Sequence, residues 1–170
     1  MEPKQINILG IDPSLRGTGL GIITMEGRKL SCVYHRTIHI RKEVRFAEAL
    51  FIVSQHIRQL VPQYCIKRAA IETPPFVKSV TVLRKLGSVF GACVEALEEY
   101  QVPCYEFTPA EIKESSTGYG RAEKDAVQKY IKGILALDVV PESDSADALA
   151  AALTLANQYN QLIPTKLKRL

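Results

Sequence analysis

The sequence predicts a single domain with a mixed α/β fold, in which one five-stranded sheet carries helices on both faces. Three short apolar segments come first, separated by turns that contain glycine, and this pattern predicts an antiparallel meander. Segments with helical periodicity then alternate with two further strands. Because these strands follow crossover helices, we expect both to lie parallel to the first strand. A chain of 170 residues can bury one core, so the domain is expected to span residues 1–170.

The five predicted strands are short and rich in apolar residues. The first, QINILGID, is closed by an Asp-Pro pair, and the fourth, IKRAAIE, ends in an acid. Glycines separate the second strand from its neighbours. The strands are predicted at residues 5–12, 17–25, 29–40, 66–72 and 102–107.

Apolar residues that recur at three- and four-residue steps predict the helices. The first helix is expected over residues 41–61, with Pro62 as its stop. Pro109 is expected to open a short helix that runs to Lys113. The basic C-terminal tail, about residues 162–170, is expected to fray. The remaining helices are predicted at residues 80–99, 122–137 and 144–159.

Composition narrows the class of protein without fixing a function. Apolar residues make up 46% of the chain and charged residues 24%, which is typical of a soluble globular domain. A net charge of +4 is compatible with a nucleic-acid partner but does not require one. Neither a signal peptide nor a membrane span is predicted, so we expect a cytoplasmic protein without a membrane partner. The cysteines form no CxxC pair and are expected to be reduced core residues: Cys32, Cys65, Cys93 and Cys104.

Four acids form the strongest functional pattern. Asp12 and Glu72 end strands that should be parallel, and functional groups gather at the carboxyl ends of such strands. Asp144 and Asp147 stand three residues apart, so they share one face near the start of the last helix. Each acid taken alone also suits a local role, as a turn residue, a loop entry or a helix cap. However, Asp147 lies in an apolar run where an unpaired acid is costly, and the four together favour one site.

Converging carboxylates would repel each other unless a cation joined them. Carboxylate oxygens are the ligands that Mg²⁺ prefers in proteins. Two such ions, about 4 Å apart, can hold the attacking water and the leaving oxygen of a phosphodiester. We therefore expect two Mg²⁺ ions per active site, with Mn²⁺ as a substitute, and metal-assisted phosphodiester hydrolysis.

Four segments, in this order and at these separations, resemble the RuvC-type Holliday-junction resolvases. The first segment contains Asp12, the second contains Glu72, and the last contains both helical aspartates. None of the four is specific by itself, but together they extend over residues 6–157. The segments are LGIDPSLRGTGLGI, AIETPPF, PAEIKESSTGYGRAEKDAVQ and DSADALAAAL.

The resemblance implies a ribonuclease-H-like fold and a homodimer. It implies Mg²⁺-dependent nicking of two opposed strands at a four-way DNA junction, leaving 5′-phosphate and 3′-hydroxyl ends. The same resemblance implies a role in DNA recombination and repair. It also implies a branch-migration helicase as partner and a location on the nucleoid if the cell is bacterial. The residues that match the family's catalytic metal ligands are Asp12, Glu72, Asp144 and Asp147.

Basic and aromatic residues supply the candidate DNA contacts. Lys113 and Lys124 match the family's two basic residues near the scissile strand. Phe76 resembles the aromatic residue that stacks on an unpaired base, although it follows the glutamate by four residues where three is common. Arg121 flanks a Gly-containing loop that suits phosphate contact. An ordinary solvated loop and a core aromatic are the local alternatives.

The helix predicted over residues 80–99 bears on assembly. Gly87 and Gly91 stand four residues apart, which permits close helix approach. The face with Val82, Val89 and Ala96 is expected to pair with a copy of itself, and a two-fold dimer would present two sites to two opposed strands. Packing of that face on the protein's own sheet is the alternative.

The preferred function is the resolution of four-way junctions, and rival functions stay open. The closest rival is a ribonuclease-H-like nuclease that acts on other branched DNA or on structured RNA. A rival of another class is a non-catalytic scaffold that binds junctions. A sugar-kinase-like ATP-binding domain has a similar opening strand and meander, but it would need a second half for which 170 residues leave no room.

Overall fold

The computed structural model describes residues 5–121, 123–159 and 168–170. Its sheet has the order β3-β2-β1-β4-β5. The pairs β1–β2 and β2–β3 are antiparallel, and β1–β4 and β4–β5 are parallel, which confirms the predicted mixed sheet. The elements are β1 (Ile6–Asp12), β2 (Gly17–Glu26), β3 (Lys29–His39), α1 (Phe46–Gln63), β4 (Ile66–Glu72), α2 (Val80–Glu98), β5 (Cys104–Phe107), α3 (Pro109–Thr117), α4 (Lys124–Ile134) and α5 (Ser143–Tyr159).

The helices cover both faces of the sheet, as predicted. Alternate residues of a strand point to opposite faces, so Leu9 and Ile11 of β1 pack with α1 and α2, whereas Ile8 packs with α4 and α5. Gly10 and Asp12 share the face of Ile8. On β4, Ala70 also belongs to the cluster on the α5 side. The side of the sheet that carries α5 is therefore the side to which Asp12 belongs.

Two glycines let α5 lie directly against the sheet. A Cβ atom on Gly10 would come within 1.8 Å of the Ala148 carbonyl oxygen, and one on Gly19 within 1.9 Å of the Asp144 carbonyl oxygen. No side chain larger than hydrogen fits at these positions without displacing the helix. The close approach fixes the start of α5 beside the end of β1 and the start of β2.

Several element boundaries differ from the prediction. The first helix begins at Phe46 and continues through Pro62 to Gln63, so the expected stop at Pro62 is wrong. A proline near the end of a helix disrupts few hydrogen bonds, and the chain leaves the helix at Cys65, whose φ is +48°. The third helix extends beyond Lys113 to Thr117 and ends at Gly118, whose φ is +74°.

Two other expectations, on the cysteines and on the pairing face of α2, need correction. Cys65 is exposed and Cys32 half-buried, so only Cys93 and Cys104 are core cysteines; all four are free thiols. Val89 and Ala96 are fully buried in the protein's own core, because they face α1 and the sheet, and only Val82 of the predicted pairing face is exposed.

Part of the C-terminal tail lies outside the described residues, but residues 168–170 contact the edge of β5. Arg169 forms an antiparallel bridge with Tyr105. The Glu106 amide donates to the Lys168 carbonyl at 3.1 Å, and the Lys168 ammonium pairs with the Glu106 carboxylate. The expectation of fraying is therefore wrong for these three residues. Among the described helices, none is long and apolar enough to cross a membrane.

Candidate active site

Two of the predicted acids lie side by side at the ends of parallel strands. Asp12 is the last residue of β1, and Glu72 is the last residue of β4. The register pairs Ile11 with Ile71, so the next residue of each strand brings the two carboxylates to one edge of the sheet. Strand order and register thus produce the juxtaposition that the sequence predicted.

The last helix brings the other two acids to the same edge. Asp144 lies in the first turn of α5, and Asp147 follows one turn later. The contact between the Asp144 backbone and Gly19 holds this turn against β2, which pairs Gly19 with Asp12. Sequence reasoning missed this glycine support, although the run of small residues in GTGLG was a visible signal.

All four acids line one open cleft of about 350 Å³. The loops after β1 and β4, together with α2, α3 and the start of α4, form its other walls. The predicted basic residues Lys113 and Lys124 also line it. The lining residues that sequence reasoning did not select are Pro13, Ser14, Pro75, Leu86, Pro109, Ile112 and Val127.

Asp12, Glu72 and Asp147 resist ionisation because they are buried and close to other acids. Burial, and then the charges of Glu72, Asp147 and Asp144, raise the pKa of Asp12 to about 8. Burial and the charge of Asp147 raise the pKa of Glu72 to about 7. Burial also raises the pKa of Asp147, against the charge of Lys124. A site that holds several buried carboxylates at neutral pH gains stability from any cation that binds there.

The two lysines supply positive charge to the cleft from separate elements. Lys124 begins α4, and its Nζ lies 3.7 Å from Asp147 Oδ2. Lys113 lies on α3, whose start is fixed by a capping box between Thr108 and Glu111. The charges of both lysines lower the pKa of Glu72. They are therefore close enough to the acids to act on a group bound between them.

The remaining candidate DNA contacts lie outside the cleft lining. Phe76 is 87% exposed, so the alternative of a core aromatic is wrong. Arg121 is exposed in the loop before α4. Neither residue lines the cleft, but Phe76 directly follows the lining residue Pro75. No histidine of the described residues lines the cleft, and His39 instead contacts Glu142, outside the cleft lining, at 2.8 Å.

The donor set suits a hard divalent cation. Within the part of the chain that the structure describes, no three His, Cys, Asp or Glu side chains are drawn together into a ready metal-binding group. The four carboxylates nevertheless line one cleft, and their oxygens are the ligands that Mg²⁺ and Mn²⁺ prefer. Burial and mutual repulsion raise the pKa values of Asp12 and Glu72, and a bound cation would favour the ionised form of both. The residues present fit the predicted metal.

Comparison with known sequences identifies a family. Residues 8–155 match the profile of the family described as crossover junction endodeoxyribonuclease RuvC. The protein of that name from Thermosipho melanesiensis is 36% identical over 152 residues, which cover 89% of this chain and 97% of the relative. The one from Petrotoga mobilis is 35% identical over 151 residues, 88% of this chain and 93% of the relative.

Comparison with solved structures agrees with the family found by sequence. The chain is similar to Thermus thermophilus RuvC in complex with a Holliday junction substrate, with a TM-score of 0.88, 28% identity and coverage of 97% of this chain and 99% of that one. The yeast mitochondrial Holliday junction resolvase Ydc2 shares the fold alone, with a TM-score of 0.62, 12% identity and coverage of 86% and 76%. The predicted ribonuclease-H-like fold is confirmed. Because the family profile spans most of the chain and its relatives align over nearly their whole length, this protein belongs to the crossover junction endodeoxyribonuclease RuvC family.

Proposed function

We propose that this protein resolves four-way DNA junctions by paired, symmetric nicking, and that the acidic cleft is its active site. The observation that carries the proposal is the convergence of four carboxylates from β1, β4 and α5 on one cleft that two lysines also line. Family membership supplies the class of reaction, which is hydrolysis of DNA phosphodiester bonds.

In this proposal the four acids hold two divalent cations. Asp12, Glu72, Asp144 and Asp147 would bind Mg²⁺, for which Mn²⁺ would substitute. When bound, the metal supplies an activated water and stabilises the leaving 3′ oxygen. The products would carry 5′-phosphate and 3′-hydroxyl ends.

Basic and aromatic residues in and beside the cleft bind and orient the DNA strand in this proposal. Lys113 and Lys124 offer ammonium groups to the phosphate that enters an otherwise acidic site, and this charge offsets repulsion between the cleft and a polyanion. Phe76 is exposed beside the cleft, where it can stack on an unpaired base. Arg121 would contact the backbone from the neighbouring loop.

The proposed substrate is a four-way junction, and the proposed assembly is a homodimer. The similar Thermus thermophilus protein was solved with a Holliday junction substrate. Two symmetric nicks require two active sites, and a two-fold dimer supplies them. A branch-migration helicase as partner, and a location in the cytoplasm on the nucleoid, stay predictions.

The surface that supports the dimer is the exposed side of α2. Val80 is 80% exposed and Leu83 43% exposed. Gly87 and Gly91 have open space above them, so another helix can approach this side closely. We name Val80, Leu83, Gly87 and Gly91 the α2 surface. It replaces the face with Val89 and Ala96, which the protein's own core occupies.

A cleavage assay on a synthetic four-way junction tests the proposal. With Mg²⁺, we expect paired nicks at symmetric positions on two strands, and no cleavage in EDTA. Asp12→Asn should abolish cleavage while junction binding persists, because it removes a ligand and a negative charge but little volume. Cleavage by that variant at the wild-type rate would show that the ligand assignment is wrong.

The same assay separates the rival functions. Preferential cleavage of other branched DNA or of structured RNA, measured beside the junction and a linear duplex, would favour a ribonuclease-H-like nuclease with another substrate. Tight junction binding without metal-dependent nicking would favour a scaffold.

A further inference from the structure

A group of basic residues, separate from the cleft lysines, lies at the same edge of the sheet. Arg41 and Lys42 follow the end of β3, and Arg45 directly precedes α1. All three are exposed. Among the described residues neither Arg41 nor Lys42 forms an ion pair, whereas Arg45 Nε lies 3.6 Å from Glu48 Oε2. Arg41 and Lys42 thus present two uncompensated positive charges to solvent.

The guanidinium of Arg16 holds the backbone of this pair against the β1–β2 loop. Its Nη1 donates to the Arg41 carbonyl at 2.6 Å, and its Nη2 donates to the Lys42 carbonyl at 3.2 Å. The Ile40 amide donates to the Arg16 carbonyl at 3.1 Å. A guanidinium that bridges two successive carbonyls fixes the backbone from which both cationic side chains extend.

The same loop forms part of the cleft. Pro13 and Ser14 line the cleft directly after Asp12. The Ser14 amide donates to Thr18 Oγ1 at 3.2 Å, and the Thr18 hydroxyl donates back to the Ser14 carbonyl. The chain from Asp12 to Arg16 is therefore held in place, and the basic pair has a fixed position relative to the acids.

The separation between the pair and the cleft follows from the sheet. Asp12 pairs with Gly19 on β2, and Gly19 pairs with Thr37 on β3. Neighbouring strands lie about 4.8 Å apart, so β3 is about 10 Å from β1. Measured across the strands, the backbone of Arg41 and Lys42 is therefore offset from Asp12 by about 10 Å, which corresponds to about three base pairs of a duplex that runs across the strand ends, at about 3.4 Å per base pair.

We propose that Arg41 and Lys42 bind the sugar-phosphate backbone of the DNA arm that enters the cleft, about three base pairs from the phosphate that is cut. The inference rests on the proposed function, because it needs a DNA strand in the cleft. Because the backbone is already fixed, only the two side chains lose entropy when they contact phosphate. Glu43, which is exposed beside them, opposes this contact.

The chain contains a matched control. Arg28 and Lys29 form a second Arg-Lys pair, also exposed, at the other end of β3. That end lies roughly 30 Å from the cleft, given the rise per residue of a strand. The double variants Arg41→Gln/Lys42→Gln and Arg28→Gln/Lys29→Gln each remove two positive charges, so both change the net charge of the chain from +4 by the same amount.

The test is equilibrium binding to a fluorescent four-way junction in EDTA across a salt series, with melting curves to verify folding. We expect Arg41→Gln/Lys42→Gln to make the slope of log K against log salt less steep by about 2 per protomer, or about 4 for the proposed dimer, and to weaken binding roughly ten-fold or more at low salt. The control should leave the slope unchanged. Glu43→Gln should tighten binding. An unchanged slope for the first variant, or an equal loss in the control, would overturn the inference.

A modified substrate locates the contact. Methylphosphonate linkages remove the phosphate charge, and we expect them to weaken wild-type binding when they lie about three base pairs from the nick. The same linkages should not weaken junction binding by the Arg41→Gln/Lys42→Gln variant any further, because the variant already lacks the contact. If the substitutions and the linkages weaken binding additively, the inference is overturned. If the wild-type protein binds a junction and a linear duplex equally well, the proposed function is contradicted instead. That result measures selectivity for the junction, whereas the salt slope measures the contact of Arg41 and Lys42.

Discussion

Asp12 is the acid whose surroundings most strongly oppose its charge. Its pKa is about 8 in the folded protein, mainly because it is buried, against an ordinary value of 3.8. Between these pH values the folded protein keeps a proton that the unfolded chain releases, so the free energy of unfolding falls as pH rises. This loss is absent near pH 4 and complete above about pH 8.

We therefore predict that Asp12→Asn stabilises the metal-free protein at alkaline pH. The gain in the free energy of unfolding should be small at pH 4 and on the order of a few kcal/mol at pH 9. Urea denaturation in EDTA at several pH values measures it, with Asp138→Asn, an exposed aspartate outside the cleft, as control for the chemistry of the substitution. A gain that does not grow with pH would contradict the described burial of Asp12.

Lys124 is the residue that counteracts this accumulation of negative charge. Its charge lowers the pKa values of Asp12, Glu72 and Asp147. We predict that Lys124→Met shifts the rising part of the pH–rate profile for junction cleavage to higher pH and lowers the rate at pH 7 on the order of 100-fold. Lys124→Arg should retain the wild-type profile, and Lys129→Met on the same helix is the control. An unshifted profile for Lys124→Met would show that its charge does not act on the acids.

Among the elements, those with a local cause could be predicted from the sequence. The strand 66–72 and the helix beginning at residue 80 occur where hydrophobic periodicity predicts them. The end of α1 could not be predicted, because proline near a helix end is tolerated and the chain reverses at the left-handed Cys65. The contact of residues 168–170 with β5 could not be predicted either, because it joins segments far apart in sequence.

The residues of the acidic site could be predicted from the sequence, but the packing of α5 on the sheet that holds two of them in place could not. Parallel strand ends explain why Asp12 and Glu72 meet, and helical spacing explains why Asp144 and Asp147 share a face. The position of α5 on the sheet depends instead on the absence of a side chain at Gly19, which only the packed structure reveals.

We predict that Gly10→Ala disrupts the site through α5. A Cβ atom 1.8 Å from the Ala148 carbonyl oxygen must displace the helix, so we expect a loss in stability of about 1–3 kcal/mol or more, and slower cleavage at full substrate saturation. Gly133→Ala is the control, because Gly133 lies in a helix with open space above it, and alanine there should stabilise by up to about 1 kcal/mol. Urea denaturation measures both variants. Equal effects would show that α5 does not depend on close contact at Gly10.

For the whole molecule, the pattern of apolar residues on α2 predicted a face for contact with another copy, and most of that face lies in the protein's own core. A helix that packs on its own sheet and also meets a partner has two apolar sides, and periodicity alone does not say which side faces which. The structure shows which side of α2 faces the protein's own core, since Val89 and Ala96 are buried there and Leu83 is exposed to solvent.

We predict that Leu83→Asp separates the proposed dimer into folded monomers. A charge on the α2 surface would have to be buried without a partner in a two-fold contact, and it would occur twice, whereas in a monomer it remains solvated. Val33→Asp is the control, because Val33 and Leu83 are both 43% exposed and Val33 lies on β3, away from α2. Light scattering should give the monomer mass for Leu83→Asp alone.

On a supercoiled plasmid that extrudes a cruciform, the dimer should produce linear DNA by two nicks within one binding event, and the monomer should produce nicked circles. Linear product from a monomeric variant would contradict the proposal that paired nicking requires a dimer formed through the α2 surface.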